Sequence, residues 1–478
     1  MTDPSTPEWA RDAVFYQIFP DRFATSLSVP KAANLEPWGP TNGGNGYQGG
    51  DLLGVVERLN YLQDLGVNAL YFTPIFQSAC NHRYHTHDYE KVDPMLGGDA
   101  ALRRLLDEAH RRGMHVVLDG VFNHSSRGFF QFNDILENGT ESAYLDWFTV
   151  KDFPLYAYDH ERSPNYGAWW DLHALPKFNI QTPAVRRFLL GVGRRWIDYG
   201  IDGWRLDVAN EIEDDDFWRE FRGVVRDGNP EAYIVGEVWL DSRRWLQGDM
   251  WDAVMNYLFT RACIAFFIGD DVNRVDLDRT ALVNPGPPGA PAFAEAIGRL
   301  LGLYRPESTA VMMNLLDSHD MARFLTLANG DKSALRLATL FQMTYPGAPC
   351  IFYGDEVGLD GGHDRTRVGF PWRNEAWDLD LLHDFQKMIA LRKAHPALRR
   401  GTYECLHAEG GTHVHLRRLD GDIVVVAMNT SKETRVIDLP LGEVGPLAEV
   451  WGKDLLHDGA RTLKLDPRSG RVFASRTS

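Results

Sequence analysis

Four apolar runs of strand length in this chain lead into residues able to do chemistry. HVVLDGVF from His115 contains Asp119 and continues to Asn123-His124. DGWRLDVA from Asp202 carries Arg205 and Asp207, AYIVGEV from Ala232 contains Glu237, and AVMMNLLD from Ala310 runs into Asp317-Ser318-His319-Asp320. Arg205 and Asp207, two apart on a strand, project to one side, so a guanidinium can lie beside a carboxylate and keep it ionised, as a nucleophile requires. Glu237 is flanked by Gly236 and by Val238-Trp239, apolar neighbours that would raise its pKa toward the range where a general acid keeps its proton. One ionised and one protonated carboxylate is the arrangement that cleaves glycosides. A single acid at a strand end is more often half of a structural salt bridge, but several strand ends agreeing together weakens that reading. His124 and His319 follow runs that also carry carboxylates, which favours contact with sugar hydroxyls over a purely structural hydrogen bond.

The elements that must position these groups repeat along the chain. Eight apolar runs begin at Ala13, Ala69, His115, Asp202, Ala232, Ala253, Ala310 and Cys350. Helical stretches lie between them, the sign of successive βα units closing into a (β/α)8 TIM barrel, with catalytic groups at the C-terminal strand ends. ALRRLLDEAHRRG from Ala101 puts Leu102, Leu105, Leu106 and Ala109 on one stripe, and PAVRRFLLGVGRRWIDYG opens with Pro183 and stops at Gly200, the start and stop asymmetry of a helix. Residues 124–179 are too long for an ordinary βα loop and read as an inserted subdomain whose Trp147, Trp169 and Trp170 could wall a cleft. The barrel is expected over 1–123 and 180–398. From 399 to 478 the text alternates (THVHLRRL, DIVVVAMN, RVIDLPL), which predicts a C-terminal antiparallel β-sandwich. The Gly/Pro-rich NPGPPGAPAF from Asn284 reads as a loop before a helix.

Composition narrows the partners. The 478 residues are 44% hydrophobic with a net charge of −16, which disfavours nucleic acid and anionic membrane surfaces. A neutral sugar needs no opposite charge, and 12% aromatic residues offer flat apolar faces to its C–H surfaces. Four separated cysteines (Cys80, Cys263, Cys350, Cys405) without CxxC indicate neither a disulfide framework nor a zinc ribbon. The N-terminal text has no basic segment followed by an apolar one, and no run approaches the roughly 18 apolar residues of a membrane span. A cytoplasmic location is expected.

DGVFNH (119–124), GWRLDVANE (203–211), GEVW (236–239) and NLLDSHD (314–320) resemble, in order and spacing, the four best-known blocks of the α-amylase family of glycoside hydrolases, family 13. GVNALYFTPIF (66–76), LPKFN (175–179) and GAPCIFYGDE (347–356) resemble its secondary blocks, so the likeness covers essentially the whole chain. The resemblance implies that Asp207 is the nucleophile, Glu237 the acid/base and Asp320 the carboxylate that grips sugar hydroxyls and favours the oxocarbenium-like state. It places Asp119, Arg205, His124 and His319 around them, Tyr84 as the platform beneath the glucose being cleaved, Asp364 and Arg367 at the next sugar on the non-reducing side, and Trp239 toward the leaving group.

The form GWRLDVANE, with DGVFNH and NLLDSHD, is most similar to the neopullulanase, cyclomaltodextrinase and maltogenic amylase group, which implies an α-glucan or maltooligosaccharide substrate. Relatives in that group usually carry an extra N-terminal β domain, whereas the first strand here begins near Ala13. Dimerisation through that domain and the accompanying cyclodextrin preference are therefore not expected, and the oligomeric state stays open. Relatives often hold calcium in the loop after the first strand. Here ATSLSVPKAANLEPWG offers few acids, leaving Gly49-Gly50-Asp51 and Asn123, so no metal or cofactor is expected. His82, His85 and His87 have a spacing that can converge on zinc, but no Cys or acid completes an obvious set with them in the sequence. The rival readings are an exo-acting α-glucosidase or oligo-1,6-glucosidase on the same barrel and a non-catalytic carbohydrate-binding barrel. LPKFN and VANE argue against the first, and the presence of all three carboxylates argues against the second.

Overall fold

The computed structural model describes residues 6–39, 44–282, 285–439, 447–451 and 462–475. Eight parallel strands form the barrel: β1 (Phe15–Ile18), β2 (Ala69–Phe72), β3 (His115–Gly120), β4 (Gly203–Leu206), β5 (Tyr233–Gly236), β6 (Ala253–Val254), β7 (Met313–Leu315) and β8 (Ala348–Phe352). β1 pairs with both β2 and β8, and a parallel bridge from Met255 to Met313 joins β6 to β7 and closes the ring. Seven of the predicted runs contain their strands, and the eighth, read from Cys350, overlaps a strand that starts two residues earlier at Ala348. The sixth is cut short because the Asn256 side chain accepts the Phe259 N–H and caps a helix, Tyr257–Cys263, inside what read as strand.

The helices follow their apolar stripes. α1 (Gly98–Arg111) buries Ala101, Leu102, Leu105, Leu106 and Ala109, and α2 (Pro183–Tyr199) ends at Gly200 with φ 111°. Between β3 and α2 the chain folds into a subdomain pinned by short antiparallel bridges such as His124 to Lys177 and Phe148 to Phe178. Its core is a cluster of Phe129, Phe132, Phe148 and Phe178. Trp147 belongs to that cluster, packed on Phe129 and Phe188, and not to a cleft wall as the sequence suggested. In the Gly/Pro-rich run Asn284 lies outside the described residues, and the helix Ala290–Leu303 follows.

Among the described residues the C-terminal region has seven strands: β9 (Thr402–Glu409), β10 (Thr412–Leu419), β11 (Asp422–Asn429), β12 (Arg435–Asp438), β13 (Leu447–Trp451), β14 (Thr462–Leu465) and β15 (Ser469–Ser475). They form a sheet of order β9-β10-β11-β15-β13 and a second pair, β12-β14. In β11, Val425 and Ala427 join the core between the sheets, while Val424, Val426 and Met428 join the barrel's core. A strand covered on both faces explains the unbroken apolar text VVVAM.

Candidate active site

The site begins with a glycine. A Cβ at Gly203 would lie 2.2 Å from the Tyr233 carbonyl oxygen, so only glycine lets β4 approach β5 in this register. That register pairs Arg205 with Val235 and Leu206 with Gly236, and sets Asp207 and Glu237 side by side just past two adjacent strand ends. Arg205 is fully buried. Its Nη1 donates to Asp119 Oδ1 and Oδ2 at 2.9 Å and to Asp207 Oδ1 at 2.8 Å, and its Nη2 lies 3.0 Å from Glu237 Oε2. One guanidinium therefore meets three carboxylates.

Burial pushes the Asp207 carboxyl well above its ordinary range, and Glu237, Asp119 and Asp320 add to the push while Arg205 opposes it. Arg205 does lie against Asp207 as the sequence predicted, and its pull toward the ionised form is set against the push from burial. Burial likewise raises Asp119 to about 6, against the opposing pull of Arg205. With one cation among three acids, the cluster favours keeping a proton. Glu237 itself does not sit in a purely apolar surround as expected. Its Oε2 accepts the Val208 N–H at 3.0 Å and its Oε1 accepts Trp239 Nε1–H at 3.1 Å. Val208 reaches it with φ 38°, a left-handed backbone that a β-branched residue rarely adopts. Trp239 lies flat on Tyr257, ring centroids 3.6 Å apart, which fixes the indole N–H on the carboxylate.

Across the cleft, the end of β7 carries His319 and Asp320. Gln17 Nε2, from β1, donates to His319 Nδ1 at 2.7 Å, which leaves the ring proton on Nε2, 2.6 Å from the Tyr84 hydroxyl and 3.0 Å from Asp320 Oδ2. Burial drives His319 far below its usual pKa, so the ring is neutral. Tyr84 stacks on His319 at 5.4 Å with an interplanar angle of 1° and donates to Asp119 Oδ2 at 2.9 Å. Asp320 keeps 30% of its side chain exposed and accepts from Arg367 Nη2 at 3.0 Å.

Burial holds His124 near pKa 3 and neutral; its ring stacks on Trp169, and its Nε2 has no protein partner among the described residues. An unpartnered buried ring nitrogen in a cleft is what a sugar hydroxyl would satisfy. Trp170 stacks in turn on Trp169 and is exposed. Lys177 donates to the Glu211 carbonyl at 2.8 Å, tying LPKFN to VANE.

The structure thus gathers Asp207, Glu237, Asp320, Tyr84, Arg205, Trp239, His319 and Arg367 into one hydrogen-bonded system, with His124 beside Trp169. Two placements differ from expectation. Asp119 is buried beneath Tyr84, Tyr71 and Arg205 and positions them instead of facing the cleft. Asp364 is 62% exposed and pairs with Arg279 at 2.5 Å, outside these hydrogen bonds. Gln17, Tyr71 and Tyr257 went unrecognised, since each reads as an ordinary member of an apolar run.

Asp51 and Asn123 are the oxygen donors that the sequence left for calcium. Asp51 is buried, and its Oδ1 accepts from Gly54 N and its Oδ2 from Ser26 N, both at 2.7 Å, while Lys31 Nζ pairs with Oδ2. An ammonium already answers that carboxylate. At Asn123 the side-chain Oδ1 is buried and unpartnered among the described residues, but a single amide oxygen falls far short of six to eight oxygen ligands. These residues do not fit calcium.

Comparison with known proteins agrees with this geometry. Residues 17–378 match the family described as alpha amylase, catalytic domain, and residues 401–471 match the alpha-amylase C-terminal domain. A cyclomaltodextrinase of a Bacillus species is 47% identical over 433 residues, covering 89% of this chain and 74% of the relative. Neopullulanase 2 of Thermoactinomyces vulgaris is 41% identical, covering 98% and 78%. The crystal structure of a debranching enzyme from Nostoc punctiforme superposes with a TM-score of 0.91 at 45% identity over 98% of this chain and 99% of that one. With these carboxylates at these strand ends, the chain belongs to the alpha-amylase family of glycoside hydrolases.

Proposed function

We propose that the protein hydrolyses α-1,4 and also α-1,6 glucosidic bonds in maltooligosaccharides, cyclodextrins or pullulan, with retention at the anomeric carbon. The observation that carries this reading is the Arg205 guanidinium touching Asp207 and Glu237 on neighbouring strands. Adjacent strands lie about 4.8 Å apart, which suits the roughly 5–5.5 Å carboxyl separation of retaining enzymes and not the roughly 6.5–9.5 Å of inverting ones. Glu237 protonates the glycosidic oxygen as Asp207 attacks the anomeric carbon. Water deprotonated by Glu237 then hydrolyses the glycosyl-enzyme, and a sugar hydroxyl in place of that water gives transglycosylation. Asp320, held by Arg367 and His319, grips hydroxyls of the glucose over Tyr84, and His124 donates from Nε2 to another. Relatives named cyclomaltodextrinase, neopullulanase and debranching enzyme support both linkage types.

Product analysis on cyclodextrin, pullulan, starch and short maltooligosaccharides, with NMR of the first anomer released, tests this reading. Cleavage with net inversion, or no cleavage of any of the four, would refute it. Metal independence belongs to the same proposal, supported by Lys31 on Asp51. Chelator treatment of protein prepared without added metal is expected to leave activity and Tm unchanged. No helix among the described residues is long and apolar enough to cross a membrane. The four free cysteines support a reducing, cytoplasmic setting.

A further inference from the structure

A second cluster lies on the loop that joins the hairpin strands Phe76–Ser78 and Thr86–Val92, and the proposed cleavage does not use it. The sequence grouped His82 with His85 and His87. The structure replaces His87 with Cys80: one ligand atom each from Cys80, His82 and His85 lies within 4.8 Å of the others. Cys80 Sγ is 3.4 Å from His82 Nδ1, the His82 and His85 rings meet edge to face at 5.0 Å, and all three residues are partly exposed.

The loop is held in this shape by its own bonds. Arg83 takes φ 60°, is buried, and donates to Asp93 Oδ2 at 2.9 Å and to the Asn81 carbonyl at 2.6 Å. Ser78 Oγ donates to the His85 carbonyl at 2.6 Å. These contacts fold Cys80 back onto the two imidazoles before any ligand arrives.

We propose that Cys80, His82 and His85 bind one divalent transition-metal ion of the zinc class, and that occupancy slows turnover through Tyr84. One sulfur and two nitrogens suit zinc and its soft neighbours, whereas calcium and magnesium require oxygen donors. Zinc–sulfur bonds of about 2.3 Å and zinc–nitrogen bonds of about 2.0–2.1 Å in a tetrahedron put ligand atoms roughly 3.3–3.6 Å apart. The Cys80–His82 pair already has that separation, and the remaining ligands close by about an ångström. Binding releases the Cys80 thiol proton to solvent, so affinity rises with pH. The fourth position is left to water.

The coupling to turnover is direct. His82 Nδ1 accepts the Tyr84 N–H at 3.2 Å, and Tyr84 carries the hydrogen bonds to Asp119 and His319. Drawing His82 onto an ion withdraws that acceptor and shifts the platform under the sugar.

The site is tested on the full chain with zinc in competition with a chromophoric chelator. One ion is expected per chain, with affinity weakened at least tenfold in both Cys80→Ser and His85→Gln and unchanged in His87→Gln. Equal affinity in the wild type and the first two variants, or no stoichiometric site, would overturn the proposal. In the activity arm, saturating zinc raises KM or lowers kcat several-fold, a chelator restores the rate, and Cys80→Ser, with its basal activity unchanged, does not respond. Full activity with zinc bound would overturn the coupling to Tyr84. The activity arm rests on the hydrolase reading, but the binding arm does not, so failure of either is recognised separately.

Discussion

Asp207 and Asp320 are both acids just past barrel strand ends, yet Asp207 leaves 9% of its side chain exposed beneath a guanidinium shared with two other acids, while Asp320 leaves 30% exposed on a bond to Arg367. The β3–β5 side is largely built before substrate arrives: both oxygens of Asp119 and of Glu237 and one of Asp207 have partners, and the group is buried. The β7 side is half built, with Asp320 on the cleft and Arg367 partly in solvent. Burial makes Coulomb interactions strong and removal of a partner costly. Exposure leaves a carboxylate free to exchange water for sugar hydroxyls. Reactivity is stored on one side, and recognition is completed on the other.

The largest effect should follow from Asp207→Ala. We expect kcat to fall by about 10⁴-fold or more, with an unchanged circular dichroism spectrum. Glu237→Gln should lose most turnover on natural glucans while sparing substrates with good leaving groups. Wild-type-like rates in either would dismantle the buried half as a reactive centre. Next, Arg205→Met strands three acids and should destabilise the fold by about 3–5 kcal/mol in chemical denaturation, whereas Arg367→Met, at a half-open pair, should cost no more than about 1 kcal/mol. Equal losses would erase the contrast. Asp320→Asn is expected to reduce kcat/KM by about 10²–10³-fold, the scale of a lost transition-state contact, with little change in Tm.

The last effect is the pH dependence of stability. Burial raises Asp119 from 3.8 to about 6, so between those values the folded chain holds a proton that the unfolded chain has lost. This contribution is full below about pH 4 and is lost as pH rises through 6, and Asp207, also raised, acts in the same direction. Relative to Asp119→Asn, the wild-type Tm should therefore fall as pH rises across this window. A constant offset would show that burial does not govern this acid.

Much of the site was legible because its residues offend local expectation: Asp207, Glu237 and Asp320 stand where a barrel strand would otherwise continue in Val or Leu. Gln17, Tyr71 and Tyr257 were not legible, because they look like core. Only barrel closure sets Gln17 beside His319, 302 positions away. The sixth strand was overextended because Asn256 acts as a helix cap, a role its flanking apolar residues conceal. Trp147 and Trp169 are indistinguishable as letters, and only the subdomain's bridges decide that one is core and the other stacks on His124. Cys80 read as an isolated thiol because the left-handed turn at Arg83 that folds it onto His82 leaves no mark in the spacing.

The backbone at Val208 has a consequence for how this protein can change. A β-branched residue at φ 38° stores strain of order 1–3 kcal/mol, and what the chain keeps in return is an N–H aimed at Glu237. Selection for thermal tolerance would find relief at this position through glycine or asparagine, which fit the left-handed backbone and still present the same N–H to Glu237. Position 208 is thus where heat challenge can act on a residue beside the acid/base without removing the N–H that meets it.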